Sequence, residues 1–167
     1  MRVPTVLALS LLACSVNAQT QSSPSPSLRF VQTDDAPRAA GPYSQGVVAG
    51  GFLFVAGMTP RDPKTNAQVN QSFEAAANRV MESLTAVLRA EGLDWTDVVK
   101  TTVYLIKSED FGPLNTVYAQ HLGAGKPARS TVMVASLPGG AMLDRSGCQD
   151  AQVTRDLPVQ AMPNISS

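Results

Sequence analysis

The sequence predicts a single α+β domain in which one mixed sheet carries two helices packed on the same face. The chain has 167 residues, 44% apolar and 16% charged, as in an ordinary globular domain with one core. A long stretch with helical spacing of apolar residues lies between shorter runs of strand-forming residues. Placing both helices against one side of a sheet is the economical way to bury their apolar stripes.

Three strands are predicted before the first helix. An alternating run at residues 28–31 favours a short strand, and the apolar runs at 47–49 and 52–56 favour a hairpin. The glycine pair at 50–51 supports the hairpin because glycine tolerates the positive φ angles of a tight turn. The polar stretch at 59–70 then predicts a loop.

The clearest predicted element is a helix from about Asn70 to Glu91. Asn70 or Ser72 can cap its first turn, and Gly92 occupies the position where a left-handed residue ends many helices. The apolar residues of this stretch recur every three or four positions, which is typical of one buried stripe. They are Phe73, Ala76, Ala77, Val80, Leu84, Val87 and Leu88.

Four further elements are predicted after this helix. Residues 98–106 are rich in β-branched side chains and favour a central strand, residues 110–122 a shorter helix, and residues 130–137 another strand. Residues 142–153 are a candidate last strand, although they show little apolar alternation. A sheet covered on one face leaves the other face open, so we expect the chain to form an oligomer.

The N-terminal segment predicts export of the protein. An apolar run at residues 6–16 is followed by the small residues Val16 and Ala18 at the positions that a signal peptidase reads, and it is too short to span a bilayer. The mature protein is then secreted or periplasmic and carries no membrane anchor. Two alternatives stay open, a lipoprotein acylated at Cys14 and an uncleaved hydrophobic leader. The predicted organisation is a signal peptide at 1–18, a flexible linker at 19–27, a domain at 28–153 and a C-terminal tail at 154–167.

Several classes of function are disfavoured by composition. One histidine, His121, and one cysteine in the mature chain, Cys148, cannot assemble an ordinary zinc site, and the hydrolase, phosphate-loop and dinucleotide motifs are missing, so no metal or cofactor is expected. The 13 basic and 13 acidic residues form no basic stripe, which disfavours nucleic acid as a partner. We interpret His121 as a helix-end cation and Cys148 as an incidental thiol. Sequons at Asn70 and Asn164 could carry glycans in a eukaryotic host.

Five short stretches resemble the RidA/YjgF family, in order and at the family's spacing, between about residues 28 and 144. The matching segments are 40–46 (AGPYSQG), 55–57 (VAG), 97–105 (DVVKTTVYL), Asn115 with Tyr118, and 127–130 (PARS) with 137–138 (LP). The resemblance implies a chorismate-mutase-like α+β fold, assembled as a homotrimer with a cleft between each pair of subunits. It also implies hydrolysis of 2-imino or enamine acids to 2-oxo acids and ammonia, without metal or cofactor.

The resemblance also assigns candidate site residues. Arg129 matches the family's arginine for the substrate carboxylate, a group that a guanidinium can bind through two parallel hydrogen bonds. Tyr43 matches a tyrosine in the cleft and is a candidate catalytic residue. Gly57 matches a glycine whose backbone lines the site, and Asn115 an asparagine near the cleft. The structural alternatives are a solvent-exposed side chain for Arg129, a core residue for Tyr43, a bend for Gly57 and a capping role for Asn115.

The chain departs from the family pattern around the chemistry. Ala56 and Met58 replace the serine and glutamine that commonly flank the family's glycine, and Met133 replaces a common acidic residue. Thr131, a candidate substrate-binding residue, stands where the family has cysteine. Asp144 stands where the family has the glutamate that positions water. Its shorter side chain would withdraw the carboxylate by roughly 1 Å, a displacement that can cost about a hundredfold in rate, and a plain loop role for it is equally open.

Two functions therefore remain from the sequence. The first is a hydrolytic deaminase of small 2-imino or enamine carboxylic acids, or a diverged relative acting on another small enamine. The alternative is a non-catalytic trimeric protein that binds a small carboxylate-bearing metabolite. A nuclease activity is disfavoured by the lack of a basic stripe. Export from the cytosol favours a substrate more stable than a short-lived imine.

Overall fold

A computed structural model describes residues 28–137 together with the backbone of residues 148–154. The predicted signal peptide, the linker, residues 142–147 of the predicted last strand and nearly all of the predicted tail lie outside the described residues, and Asp144 lies with them. No helix of the described part is both long and apolar enough to cross a membrane.

The elements follow the predicted order. They are β1 (Arg29–Val31), β2 (Gly46–Ala49), β3 (Phe52–Met58), α1 (Phe73–Ala90), β4 (Val98–Leu105), a short 3-10 turn (Ser108–Asp110), α2 (Phe111–Leu122), β5 (Ala128–Met133) and β6 (Cys148–Thr154). The strands form one mixed sheet in the order β1-β2-β3-β6-β4-β5. Only the pairing of β4 with β5 is parallel. The predicted α+β architecture is confirmed.

The fifth strand is displaced from its predicted position at 130–137. It begins at Ala128 and ends at Met133, because its partner β4 ends at Leu105 and the chain there turns into the 3-10 segment. One more bond, from the Val134 amide to the Leu105 carbonyl at 2.8 Å, closes the ladder. The sequence signal placed the strand too late because the apolar residues after Met133 lack a neighbouring strand.

Helix α1 begins and ends close to its predicted limits. The Ser72 hydroxyl accepts a hydrogen bond from the Ala75 amide at 3.1 Å, which makes Ser72 rather than Asn70 the capping residue. At the other end Gly92 has a φ of 68°, as its position predicted. Every residue of the predicted apolar stripe is buried, and Met81 joins it.

The two faces of the sheet have different environments. The face towards the helices forms the core, where Leu53, Val103 and Leu105 pack with the buried stripe of α1 and with α2. The opposite face exposes large apolar side chains. They are Phe30, Phe52, Phe54 and Val132, exposed by 69%, 41%, 43% and 44%. We call these four residues the open apolar face.

His121 lies in the last turn of α2, as predicted, but its environment disfavours the cation. Its Nε2 lies 2.8 Å from the Asn78 amide oxygen of α1. Partial burial lowers the pKa of the imidazole from its ordinary value near 6.5, and the nearby Glu82 carboxylate offsets only part of this effect. Burial therefore acts against the helix-dipole effect on which the sequence interpretation rested.

This environment predicts a pH-dependent free energy of unfolding. Because the folded-state pKa lies below the unfolded value, the unfolded chain binds a proton first as pH falls below about 6.5, and stability declines. Urea titrations at about pH 7.5, 6.5 and 5.5 should show this decline, above the range where carboxylates titrate. His121→Gln should flatten the profile, since the sequence has one histidine. Equal profiles for the two proteins would contradict the assignment.

Candidate anion site at the sheet edge

Arg129 is placed at the edge of the sheet by the parallel pairing of β4 and β5. Thr101 of β4 is its register partner, and Thr101 is 1% exposed on the helix-facing side. Because paired residues of neighbouring strands point to the same face, the Arg129 side chain also leaves the sheet towards the helices. Since β5 is the edge strand, this side chain lies beside α2 at the border of the core.

Three residues of α2 surround the Arg129 guanidinium. Its Nη2 donates a hydrogen bond of 2.6 Å to the Asn115 side-chain oxygen. Its central carbon lies 4.8 Å from the centre of the Tyr118 ring and 5.6 Å from that of the Phe111 ring, within cation–π range. Residues 111, 115 and 118 are four and three positions apart, so they share one face of the helix.

The positive charge of Arg129 has no acidic partner among the described residues. Each ion pair found in that part of the chain joins other residues. The guanidinium carbon lies over both aromatic rings, and the Asn115 side-chain oxygen accepts a hydrogen bond from one of its N–H groups. Further N–H donors remain for an anion, and their planar arrangement matches a carboxylate.

Tyr118 is the most enclosed of these neighbours. It is 7% exposed, and its hydroxyl lies 2.6 Å from the buried Thr101 hydroxyl. Burial raises the pKa of the Tyr118 phenol, although the hydrogen bond with Thr101 and the charge of Arg129 act in the opposite direction. The phenol therefore stays protonated at neutral pH.

Thr131 and Met133 lie on the same face of β5 as Arg129, because side chains alternate along a strand. Thr131 is the register partner of Val103 and lies two residues after Arg129 on β5. The residue is partly exposed. The structure thus brings Arg129, Asn115 and Thr131 to one edge of the sheet. Their roles in substrate binding stay predictions.

Tyr43 lies in the loop before β2 and is 55% exposed. Its hydroxyl accepts a hydrogen bond from the Ala40 amide at 3.1 Å, and its ring lies against Gly41, where an added Cβ would come within 3.3 Å of it. The ring is thereby held in a fixed position on an exposed turn. It is accessible to another molecule, as a cleft residue must be.

Gln45 anchors this loop, and sequence reasoning missed it. Its side chain is 3% exposed; the amide nitrogen donates to the carbonyl oxygens of Thr33, Ala36 and Pro37 at 2.9 to 3.0 Å, and the amide oxygen accepts from the Thr33 amide. The two N–H donors are shared among three carbonyl oxygens, so one side chain contacts four backbone groups of the preceding loop. A glutamine among turn residues, just before a strand, was the available signal.

Gly57 lies far from Arg129 within one chain. It falls where β3 and β6 shift register between Val55 and Met58, so the bend that sequence analysis considered for it is present. Its neighbour Met58 pairs with Gln149 of β6, Gln149 pairs with Val103 of β4, and Val103 pairs with Thr131 of β5. Met58 and Thr131 are therefore three strand spacings apart. At about 4.8 Å per spacing this separation is roughly 14 Å. Within one chain the Arg129 group and the Gly57 position therefore lie in separate parts of the sheet.

The predicted site residues are thus only partly brought together. Arg129, Asn115 and Thr131 converge, Tyr43 and Gly57 belong to other parts of the fold, and Asp144 lies outside the described residues. Sequence analysis predicted the helix and matched Tyr118 to a family motif, but it did not foresee that Phe111 and Tyr118 contact Arg129. Within the described part, no three His, Cys, Asp or Glu side chains are grouped to hold a metal ion.

A mixed sheet with both helices on one face and an arginine at its edge defines a small α+β protein with a candidate anion site. The family model described as Endoribonuclease L-PSP matches residues 33–144, more than half of the chain. The chain therefore belongs to this family, the RidA/YjgF family that its motifs resemble.

Similar proteins agree with this placement. A RutC family protein of Pyrococcus horikoshii is 44% identical over 112 residues, which cover 67% of this chain and 89% of that protein. Human 2-iminobutanoate/2-iminopropanoate deaminase is 35% identical over 116 residues, covering 70% and 85% of the two chains. The crystal structure of E. coli TdcF with bound serine has a TM-score of 0.69 at 34% identity, covering 76% of this chain and 98% of that one.

Proposed function

We propose that the protein is a hydrolytic deaminase of small 2-imino or enamine carboxylic acids that needs no cofactor. The observation that carries the proposal is the Arg129 guanidinium, which lacks an acidic partner among the described residues and is oriented by Asn115 and two aromatic rings. The name of the human relative, a 2-iminobutanoate/2-iminopropanoate deaminase, supports the same chemistry.

In the proposed reaction Arg129 binds the substrate carboxylate and fixes the neighbouring imine carbon. Water adds to this carbon and forms a carbinolamine, and the carbon–nitrogen bond then breaks to release ammonia and leave a 2-oxo acid. An enamine enters the same path after protonation of its carbon. Asp144 is the proposed group that orients the water, and Tyr43 and the backbone of Gly57 line the site around the imine.

We further propose that the protein is a homotrimer whose sites lie between subunits. The separation of Gly57 from Arg129 within one chain supports this assembly, because a neighbouring subunit can supply the missing half. The open apolar face supports it as well, since four large exposed side chains on one sheet face favour burial against another copy.

A charged substitution in the open apolar face should weaken this assembly. Phe54 is 43% exposed and its ring stacks on that of Phe52 at 6.0 Å. In Phe54→Lys, association would require burial of an unpaired ammonium group, so light scattering should show a shift from three times the monomer mass towards the monomer. Ala90→Lys, at an exposed position of α1, should keep the parent mass. A parent protein that is monomeric at all concentrations would contradict the trimer.

The deaminase activity is tested by a coupled assay. An amino-acid oxidase generates 2-imino acids from a panel of amino acids, and the release of ammonia is followed with and without the mature protein. The proposal expects faster ammonia release for at least one side chain. No acceleration across the panel would exclude deamination of 2-imino acids.

The second candidate is a non-catalytic protein that binds small carboxylates. The replacement of the family's cysteine by Thr131, on the same strand face as Arg129, favours it. It predicts that 2-oxo acids bind, that Arg129→Ala removes this binding, and that ammonia release does not change. The coupled assay and a titration with 2-oxobutanoate therefore separate the two functions.

Export of the protein is also a proposal. It is supported by the apolar run and the small residues at 16 and 18. N-terminal sequencing of the protein recovered outside the cytosol should begin at Gln19. A mature form that retains residues 1–18, or one acylated at Cys14, would favour one of the two alternatives.

A further inference from the structure

The Arg129 guanidinium carbon lies over the Tyr118 ring. The ring centre is 4.8 Å from the guanidinium carbon, the shorter of the two aromatic contacts. We infer that Tyr118 is a positioning residue that fixes the plane of the guanidinium, and that Thr101 holds Tyr118 in place through their hydroxyl–hydroxyl bond. This inference rests on the proposed function only where it takes Arg129 as the contact for the substrate carboxylate.

Arg129 needs such support because of its place in the fold. It projects from an edge strand, and an arginine side chain with its many rotatable bonds loses considerable entropy when an anion fixes it. A ring packed against the guanidinium limits the side chain before any ligand binds, and the cation–π contact itself occupies none of the N–H donors. Asn115 adds one in-plane contact at Nη2. The anion then binds a group that is already oriented.

The Tyr118 ring is itself held on two further sides. Its hydroxyl lies 2.6 Å from that of Thr101, a buried residue in register with Arg129. The Trp95 ring packs edge-on against it at 6.4 Å and 62°, and the Trp95 indole N–H donates to the Thr85 hydroxyl of α1 at 2.9 Å. The guanidinium is thus supported by a series of contacts that reaches back to the long helix.

Phe111 provides a matched comparison on the same helix face. Its ring centre is 5.6 Å from the guanidinium carbon and the residue is 42% exposed, whereas Tyr118 is 7% exposed and has a hydrogen-bonded hydroxyl. A cation–π contact is stronger where water is excluded. The inference therefore assigns the main positioning effect to Tyr118 and a smaller one to Phe111.

The first test measures the mobility of Arg129 directly in the unliganded protein. Relaxation of the Arg129 side-chain Nε–H group by 15N NMR should show a restricted side chain in the parent. In Tyr118→Leu the order parameter should fall below about 0.6, as in flexible groups, while Phe111→Leu should cause a smaller decrease. An unchanged order parameter in a folded Tyr118→Leu protein would overturn the inference.

The second test measures binding of 2-oxobutanoate in the Arg129 and Arg129→Lys backgrounds. With Arg129 present, Tyr118→Leu should raise the Kd about tenfold, the range of a shielded cation–π contact. With Arg129→Lys, which keeps the charge without the planar group, the same change should raise the Kd less than about twofold. Equal effects in both backgrounds would assign Tyr118 a general structural role and overturn the inference.

Two milder variants keep the test decisive if Tyr118→Leu does not fold. Tyr118→Phe and Thr101→Val each remove one hydroxyl and keep the ring or the strand residue. Each should raise the Kd about two- to threefold, and the double variant should match the single ones because both remove the same bond. Additive effects would refute the role of the pair. Binding that does not depend on Arg129 at all would instead refute the proposed function and leave the NMR result standing.

Discussion

Arg129→Ala is expected to lower kcat/KM for 2-imino acids by roughly 10²- to 10⁴-fold, the largest effect of any single change on activity. Hydrogen bonds between charged groups contribute about 1.5 to 3 kcal/mol each, and a bidentate pair would remove two of them. At about 1.4 kcal/mol per factor of ten, two such bonds correspond to this range. The guanidinium is partly exposed, so its loss should leave the fold intact.

A matched control for this variant is Arg38→Ala. Arg38 is an exposed arginine whose nearest acidic partner is Asp34 at 3.5 Å, a pair in solvent that contributes little. Its removal should change kcat/KM by less than about twofold, because its side chain is exposed and is not one of the proposed substrate contacts. Steady-state ammonia release by the parent, Arg129→Ala and Arg38→Ala proteins gives the three kcat/KM values to compare. Arg129→Ala with the parent's kcat/KM would remove the basis of the proposed site.

Gly125→Ala is expected to reduce the free energy of unfolding by about 3 kcal/mol, the upper part of the range for overpacked sites. An added Cβ at this buried position would overlap the carbonyl oxygen of Trp95, stand 2.8 Å from its carbonyl carbon and meet the Leu122 carbonyl oxygen at 3.1 Å. These atoms belong to the backbone and cannot rotate away. The Gly125 amide also donates to the Leu122 carbonyl at 2.8 Å, so a displaced chain would lose this bond.

Denaturant unfolding checks this prediction, and Ala124→Ser serves as its control. Ala124 is the neighbouring residue and is exposed, so its change should stay within about 0.5 kcal/mol. Since Gly125 lies three residues before the start of β5, Gly125→Ala should also weaken ligand binding at Arg129. A variant with parental stability would contradict the close approach to Trp95.

The sequence was most informative where the pattern depends on local physics. The stripe of α1, its cap and Gly92 were predictable because helical spacing and capping are properties of a short segment. The glycine turn between β2 and β3 was predictable for the same reason, and its glycines have φ angles of 57° and 82°. The end of β5 was not, because a strand ends where its partner ends, and Leu105 is distant in sequence.

The candidate site was predictable only through motif resemblance. The residues next to Arg129 in the sequence do not indicate that Tyr118 packs against its guanidinium, since this contact depends on how α2 lies at the edge of the sheet. The role of Gln45 depends on a loop that folds back onto its side chain, which spacing cannot reveal. Both residues were visible in the sequence, but their functions arise from tertiary contacts between distant segments.

The three strand spacings between β3, which carries Gly57, and β5, which carries Arg129, have a genetic consequence. If a complete site takes one half from each of two subunits, a substitution in the Gly57 half and a substitution in the Arg129 half can be carried by different chains. Co-expressed Arg129→Ala and Gly57→Val subunits would then form mixed oligomers in which some sites contain two intact halves. Two alleles that are inactive alone would complement each other, which a site contained within one chain does not allow.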